Sequence, residues 1–177
     1  APTEANMLNL LREGVSKEKI YVTGNTVIDA LKTTVKQNYT FQSPALKEIN
    51  FSSKRTIVVT AHRRENLGEP LKQICLALKD IADSYEDVNI VYAVHLNPAV
   101  RNTVFEELGS HPNIHLIDPP DVQDMHNLLA RSYFVITDSG GLQEEAPSLG
   151  KPVLVLRKET ERPEAVSAGT VKLAGTN

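Results

Sequence analysis

The sequence is poor in cysteine and lacks tryptophan. Its single cysteine, Cys75, excludes a disulfide within the chain. The absence of cysteine pairs is typical of a reducing compartment, so we expect a cytoplasmic protein. Cys75 lies on the apolar face of a predicted helix, where we interpret it as a small buried hydrophobe.

Long apolar runs and an excess of one charge are also missing. No apolar stretch approaches the roughly 18 residues that a membrane span needs, and the N-terminus shows no secretory signal. Lys and Arg number 19 against 22 Asp and Glu, which gives a net charge of −3. This balance predicts neither a nucleic-acid nor a membrane partner, because both prefer a basic surface. A bound anion must therefore be held locally.

Several motifs of well-known enzyme classes are absent. The sequence contains neither G-x-G-x-x-G nor G-x-x-x-x-G-K-[ST], which disfavours dinucleotide oxidoreductases and P-loop NTPases. It also lacks the G-x-S-x-G elbow, so we interpret Ser139 as a hydroxyl donor and not as a nucleophile. His111, His115 and His126 fit no metal-ligand spacing and are interpreted as structural.

What is present indicates a globular α/β domain. The chain has 177 residues, of which 41% are hydrophobic, enough to bury a sizeable core. Strands alternate with helices, and the strands are near-continuous apolar runs. Such strands are buried on both faces, which predicts a doubly wound parallel sheet, a Rossmann-like fold. The predicted strands of this sheet are 55–59, 89–94, 113–117, 133–137, 152–156 and 170–174.

The residues before this sheet show a different organisation. Residues 2–14 predict a short helix, 20–24 a brief strand ending in glycine, and 27–35 another helix. The segment 37–54 is polar and without period, and we interpret it as a linker. The predicted division is therefore 1–36, a linker at 37–54, and a compact domain at 55–177.

The most informative stretch is YFVITDSGGLQEE, residues 133–145. It predicts a strand, a tight turn at 138–141 and a helix that begins with acidic residues. Glycines and a helix N-terminus bring backbone N–H groups close to a ligand, which suits a phosphate. Glu144 and Glu145 either complement the helix dipole or, in one case, bind ribose hydroxyls. Adjacent helical positions point about 100° apart, so at most one faces the turn.

Three polar loops directly follow predicted strands: 62–66, 95–97 and 138–141. Because ligands bind at the carboxyl ends of parallel strands, we expect these loops to lie on one edge. His62 is either functional or a surface residue, and one of Arg63 and Arg64 is expected to face solvent. Arg162 either adds positive charge to the site or forms a surface ion pair. The residues alone predict a site for a nucleotide diphosphate or similar anion and leave the chemistry open.

Four stretches form a recognisable set: TAHRREN at 60–66, VHLNP at 94–98, TDSGGLQEEAPSLGKPV at 137–153 and TERPE at 160–164. Together they closely resemble the bacterial non-hydrolysing UDP-N-acetylglucosamine 2-epimerases. The similarity runs from the first residues through to Gly175 and Thr176, and the long third motif is highly specific.

This resemblance implies a glycosyltransferase-B-like protein of two Rossmann-like halves with the nucleotide sugar between them. The chain resembles the C-terminal half, with residues 1–36 as inter-domain segment and domain start, and without the N-terminal domain and final helices. The implied reaction interconverts UDP-N-acetylglucosamine and UDP-N-acetylmannosamine by eliminating and re-adding UDP. The acidic residues that handle the C2 proton would lie on the other half. No metal or nicotinamide cofactor is implied. The resemblance does imply a homodimer that serves cell-surface polysaccharide biosynthesis.

The resemblance also implies roles for the residues around the turn. His62 would contact the diphosphate and assist departure and return of UDP, a catalytic role. Ser139, Gly140 and Gly141 would hold phosphate oxygens. Glu145, rather than its neighbour, would bind the ribose hydroxyls.

Further implied contacts involve the nucleotide and a second ligand. Arg162 would contact the nucleotide, and Pro120 and Met125 would bracket uracil. Met125 stands where the family typically has an aromatic residue, which predicts looser packing on uracil. Arg63 and His95 match the family's contacts to a second, activating UDP-N-acetylglucosamine.

Two other functions remain open from the sequence. The chain could be a nucleotide-sugar-binding domain without catalysis, or part of a UDP-sugar glycosyltransferase of the same architecture. If the parent protein is the epimerase, we expect the chain alone to be inactive while retaining weak affinity for UDP.

Overall fold

A computed structural model describes residues 1–176, in which strands form one parallel sheet. The strands are β1 (Arg55–Thr60), β2 (Val88–Ala93), β3 (Ile114–Ile117), β4 (Phe134–Thr137), β5 (Val153–Val155) and β6 (Val171–Leu173). Across the sheet their order is β3-β2-β1-β4-β5-β6, and every neighbouring pair is parallel. The predicted Rossmann-like fold is confirmed.

A helix connects each strand of the sheet to the next, and three further α-helices precede β1 in the chain. The helices are α1 (Glu4–Arg12), α2 (Thr26–Thr34), α3 (Pro44–Lys47), α4 (Glu69–Ser84), α5 (Pro98–Leu108), α6 (Val122–Arg131), α7 (Leu142–Ser148) and α8 (Pro163–Ser167). No helix within residues 1–176 is both long enough and apolar enough to cross a membrane.

The sheet has two cores because successive strand residues point to opposite faces. In β1, Ile57 and Val59 pack in one core with residues of α4 and α5. Val58, between them, packs in the other core with residues of α6 and α7. This burial on both faces explains why the strands are continuous apolar runs instead of alternating ones.

The strand order reverses direction between β1 and β4. β1 pairs with β2 on one side and with β4 on the other, and the chain then continues outward from each through β2–β3 and β5–β6. The crevice at the carboxyl ends of two such strands is where ligands bind in doubly wound folds. The fold therefore marks the ends of β1 and β4, near Thr60 and Thr137.

The chain divides into two compact units, residues 1–34 and the residues from Val35 onward. In the first unit, α1 begins where Thr3 caps the helix by accepting from the Asn6 N–H at 3.2 Å. It ends before Gly14, which has φ +84°, so the short helix predicted within residues 2–14 is confirmed. The predicted strand at 20–24 is wrong. The exposed side chains of Tyr21 and Val22 are on a segment that belongs to none of the sheet's strands.

The segment 37–54, interpreted above as a linker, packs within the second unit. Phe41, Leu46 and Ile49 are buried in the core formed with α6 and α7. The buried carboxylate of Asp124 accepts from the backbone N–H groups of Gln42 and Ser43 and from the Tyr39 hydroxyl.

Replacing Asp124 tests how firmly this segment is held. The substitution Asp124→Asn places an NH₂ donor among groups that are themselves donors. We therefore expect the unfolding free energy, measured in urea, to fall by about 3 kcal/mol. The matched substitution Asp80→Asn, on the exposed face of α4, is expected to leave the unfolding free energy nearly unchanged. Equal stability of the two variants would contradict a structural role for the segment.

Candidate functional site

A cleft of about 220 Å³ opens at the carboxyl ends of β1, β2 and β4. It is lined by Thr60, His62, Ala93, His95, Pro119, Met125, Ser139 and Leu142. Four residues singled out from the sequence, His62, His95, Met125 and Ser139, therefore share one cleft. The expectation that separate loops converge on one edge of the sheet is confirmed, while the ligand contacts of these residues stay predictions.

Asp138, the first residue after β4, joins the two loops of this cleft. Its fully buried carboxylate accepts through Oδ2 from the backbone N–H groups of His62 and Arg63, both at 2.7 Å. Oδ2 also accepts from the side-chain amide of Asn66 at 2.9 Å. The loop after β1 is thus folded around one carboxylate oxygen.

Hydrogen bonds also connect these two loops to the end of β5. The buried Asn66 side chain also donates to the carbonyl oxygen of Leu156, just after β5, at 3.1 Å. Arg63 donates from Nε to the carbonyl oxygen of Asp138 at 2.9 Å. The loops that follow β1, β4 and β5 are therefore held together by buried or half-buried hydrogen bonds.

The His62 ring lies between two groups. Its Nδ1 is 3.6 Å from Asp138 Oδ1. Its face stacks on the His95 ring, with centroids 5.0 Å apart and planes inclined by 15°. The residue predicted to contact the diphosphate therefore adjoins the residue predicted to contact a second nucleotide sugar.

Two buried hydroxyls support the turn at 138–141 from below. The hydroxyls of Thr60 and Thr137 share a hydrogen bond of 2.6 Å, and the Ser139 N–H donates to the Thr137 hydroxyl at 2.9 Å. These bonds fix where the chain leaves β4 and hence the direction of the Ser139 side chain.

Gly141 lies close to the Glu145 side chain. Neither it nor Gly140 has a positive φ, but a methyl group at Gly141 would lie 3.2 Å from Glu145 Oε1. A methyl group at Gly140 would come no closer than 3.8 Å, to Arg63 Nη2, so the protein's own packing tolerates one there. Gly140 therefore leaves room at the surface of the turn.

The two adjacent glutamates of α7 point to different partners. Glu144 pairs with Arg162 Nε. Glu145 Oε2 lies 3.4 Å from His126 Nε2, and its other oxygen faces Gly141. Burial raises the pKa of the Glu145 carboxyl, which His126 opposes and Glu144 reinforces. Of the pair, Glu145 is the one beside the turn, the position expected of a ribose ligand.

A chain of ion pairs borders the cleft on its exposed side. Arg63 lies 3.4 Å from Glu161, whose other oxygen accepts from Arg157 at 2.6 Å. Arg157 also donates to Glu65 at 2.7 Å. The hydrogen bond from Arg157 is the main reason why the pKa of Glu161 is lowered. Arg64 is exposed, as expected for one of the two arginines.

Sequence reasoning missed part of this site. Asp138 and Arg157 each come just after a buried apolar strand, at the edge already predicted to hold the site, so their positions were the available signal. Pro119 lines the cleft, whereas the predicted uracil contact Pro120 is the half-buried residue that follows it. The hydrophobic Leu142 carried no signal, because nothing distinguishes it from core residues.

Comparison with known proteins assigns the family. The profile of the family described as UDP-N-acetylglucosamine 2-epimerase matches residues 1–177. The chain belongs to the UDP-N-acetylglucosamine 2-epimerase family. The resemblance inferred from the four sequence motifs is thereby confirmed.

Individual members of this epimerase family are similar over the whole chain. The UDP-N-acetylglucosamine 2-epimerase of Bacillus subtilis is 54% identical over 177 residues, which is 100% of this chain and 46% of the relative. The S. aureus MnaA–UDP co-structure is 52% identical with a TM-score of 0.91, covering 100% of this chain and 47% of that one. The Neisseria meningitidis UDP-GlcNAc 2-epimerase bound to UDP-GlcNAc is 46% identical with a TM-score of 0.89, covering 100% and 49%. The chain spans about half the length of these relatives.

The threonine pair beneath the turn yields a prediction for this member of the epimerase family. Thr60→Val removes only the shared hydroxyl bond, whereas Thr137→Val also leaves the Ser139 N–H without its acceptor. We expect Thr137→Val to lower the unfolding free energy by about 1 kcal/mol more than Thr60→Val. Urea denaturation of both variants and of the double variant measures the difference and the coupling.

Amide hydrogen exchange separates the two effects. Exchange at Ser139 should accelerate in Thr137→Val and stay close to the unsubstituted rate in Thr60→Val. Equal exchange at Ser139 in the two variants would contradict the role of Thr137 in fixing the turn.

Proposed function

We propose that this chain is the UDP-binding half of a UDP-N-acetylglucosamine 2-epimerase. The observation that carries the proposal is the shared cleft of His62 and Ser139 at the point where the strand order reverses. Relatives of the same family with high identity have structures with UDP or UDP-GlcNAc bound.

The diphosphate would lie on the turn that follows β4. Ser139 would donate from its hydroxyl. Gly140 and Gly141 would donate from their backbone N–H groups, which a ligand can approach because glycine has no Cβ. The guanidinium of Arg63 is near the position of a Gly140 methyl and supplies positive charge, which the neighbouring Glu161 carboxylate partly offsets. These groups attract an anion locally although the whole chain is weakly acidic.

His62 would act on the bond between the sugar and UDP. In the elimination step, the bond between sugar C1 and the β-phosphate oxygen breaks, its electron pair goes to that oxygen, and a base removes the C2 proton. His62 on the cleft wall would stabilise the negative charge that develops on the departing oxygen, which is a catalytic role. Re-addition of UDP with a proton delivered to the other face of C2 gives UDP-N-acetylmannosamine. The base is proposed to lie outside this chain.

The rest of the nucleotide would extend from the turn in two directions. Glu145 would accept from the ribose hydroxyls, since its carboxylate faces Gly141. Arg162 would contact the nucleotide while its Nε is held by Glu144. Pro120 and Met125 would flank uracil, with Met125 offering an adaptable thioether instead of an aromatic plane.

A second nucleotide sugar would bind beside the first through Arg63 and His95. The support is the stacking of His95 on His62 and the position of Arg63 between Asp138 and Glu161. The two ligands would then share a wall of neighbouring side chains, a geometry suited to an activator that influences the substrate.

At the level of the whole protein, we propose a glycosyltransferase-B-like arrangement with the sugar between two halves. A homodimer, a cytoplasmic location and a role in cell-surface polysaccharide biosynthesis stay predictions. Formation of UDP-N-acetylmannosamine from UDP-N-acetylglucosamine without an acceptor distinguishes an epimerase from a glycosyltransferase and from a non-catalytic binding domain.

UDP binding by the chain itself is the first test. On titration with UDP we expect the backbone amide NMR signals of Ser139, Gly140 and Gly141 to move. Ser139→Ala should bind about tenfold more weakly, because one hydrogen bond to a charged oxygen is lost. The matched control Ser148→Ala alters an exposed hydroxyl that donates to the Glu144 carbonyl and should bind normally. Unmoved signals at millimolar UDP would contradict the proposal.

The role of His62 requires a protein with both halves. We would join this chain to the part of the Bacillus subtilis relative that it does not cover and measure epimerisation. His62→Gln is expected to lower kcat about a hundredfold, because charge on the leaving oxygen is less stabilised. His111→Gln is the control, since His111 contacts Asp83 and not the cleft. Unchanged kcat in His62→Gln would exclude the catalytic role.

A further inference from the structure

The two carboxylate oxygens of Asp138 have unlike surroundings. Oδ2 accepts three hydrogen bonds from the loop after β1. Oδ1 is equally buried and has no hydrogen-bond partner within residues 1–176. The polar atom facing it is His62 Nδ1, 3.6 Å away.

A buried acceptor without a donor is costly, by about 1–3 kcal/mol and more for a charged group. Oδ1 is not needed in this arrangement to hold the loop, because Oδ2 already receives all three loop donors. The position of Oδ1 is explained if this oxygen accepts a hydrogen bond from the imidazole ring of His62. Hydrogen bonds in unliganded active sites are often long and shorten when the ligand binds, so 3.6 Å is compatible with such a pair.

The other neighbours of the ring do not compete for Nδ1. His95 contacts the face of the His62 ring by stacking, which restricts the ring plane without bonding to a nitrogen. The Arg63 guanidinium is directed to the Asp138 carbonyl and to Glu161. The backbone N–H of His62 donates to Asp138 Oδ2, and this bond keeps the ring of His62 beside the Asp138 carboxylate.

We propose that Asp138 is a positioning residue that holds His62 with Nδ1–H directed to Oδ1 and Nε2 directed into the cleft. Nε2, on the opposite side of the ring, then meets the leaving-group oxygen of the nucleoside diphosphate. When the ring also carries a proton on Nε2, that N–H donates to the leaving-group oxygen, and the Asp138 carboxylate balances the charge of the imidazolium. A carboxylate behind a histidine that fixes its tautomer is a recurrent arrangement in enzymes that move charge onto oxygen. This inference rests on the proposed function, since it assigns a partner to the proposed catalytic histidine.

The tautomer of His62 can be observed directly. Long-range ¹H–¹⁵N NMR of the labelled chain at mildly alkaline pH reports which ring nitrogen carries the proton, and His62→Gln assigns the signals among the five histidines. We expect Nδ1 of His62 to be protonated, opposite to the tautomer that free histidine favours. An unprotonated Nδ1 in the unsubstituted chain would overturn the proposal, whether or not any variant folds.

The substitution Asp138→Asn isolates the oxygen that faces the ring. Its amide oxygen can still accept from the loop, while its NH₂ group faces His62 and is expected to move the proton to Nε2. Asn66→Ala is the control, because it removes a donor to Oδ2 and leaves Oδ1 intact. A tautomer change of equal size in Asn66→Ala would mean that loop distortion is responsible, which would overturn the proposal.

Activity provides a second readout that a merely structural role would not produce. In the two-half protein, we expect Asp138→Asn to lower kcat at least about tenfold while KM changes less than about threefold. Equal losses in UDP binding and kcat would contradict a positioning role. Failure of the unsubstituted chain to bind UDP would instead refute the proposed function, so the two failures are distinguishable.

Discussion

The arrangement of the site depends on one buried carboxylate. Asp138 leaves β4 fully buried, and the loop after β1 closes on it through two backbone N–H groups and the Asn66 amide. β1 and β4 are adjacent only because the sheet reverses its winding there. The topology opens a crevice between these two strands. The hydrogen bonds to Asp138 then fix the distance between His62 and Ser139 across it.

The cleft combines two kinds of support with different physical character. Beneath the turn, hydroxyls and a carboxylate are bonded out of contact with water, where such bonds are strong and their loss is costly. On the outer side, Arg63 and Glu161 form an ion pair in contact with solvent, and such a pair contributes little to stability. Arg157, whose side chain is largely buried, donates to the same Glu161. The turn therefore rests on buried hydrogen bonds, whereas the charged groups beside it reach the solvent.

The sequence predicted the fold because the main strands are buried on both faces, so their apolar runs identify them without tertiary information. It also located the site's edge, since polar residues that follow such strands must gather there. It failed where structure depends on distant partners. Within residues 1–176, the apolar residues at 20–24 pair with no strand of the sheet. The packing of 37–54 depends on Asp124, more than 80 positions away. The role of Asp138 was hidden likewise, because its bonding partners lie 72 to 76 positions earlier.

The ion pair between Arg63 and Glu161 has a consequence for any anion that approaches Arg63. Arg63 is paired with the Glu161 carboxylate, and the second oxygen of Glu161 accepts a hydrogen bond from Arg157. An arriving phosphate therefore meets a guanidinium that already has a carboxylate partner. The net gain is smaller than for an unpaired arginine, but the guanidinium is already oriented before the ligand arrives.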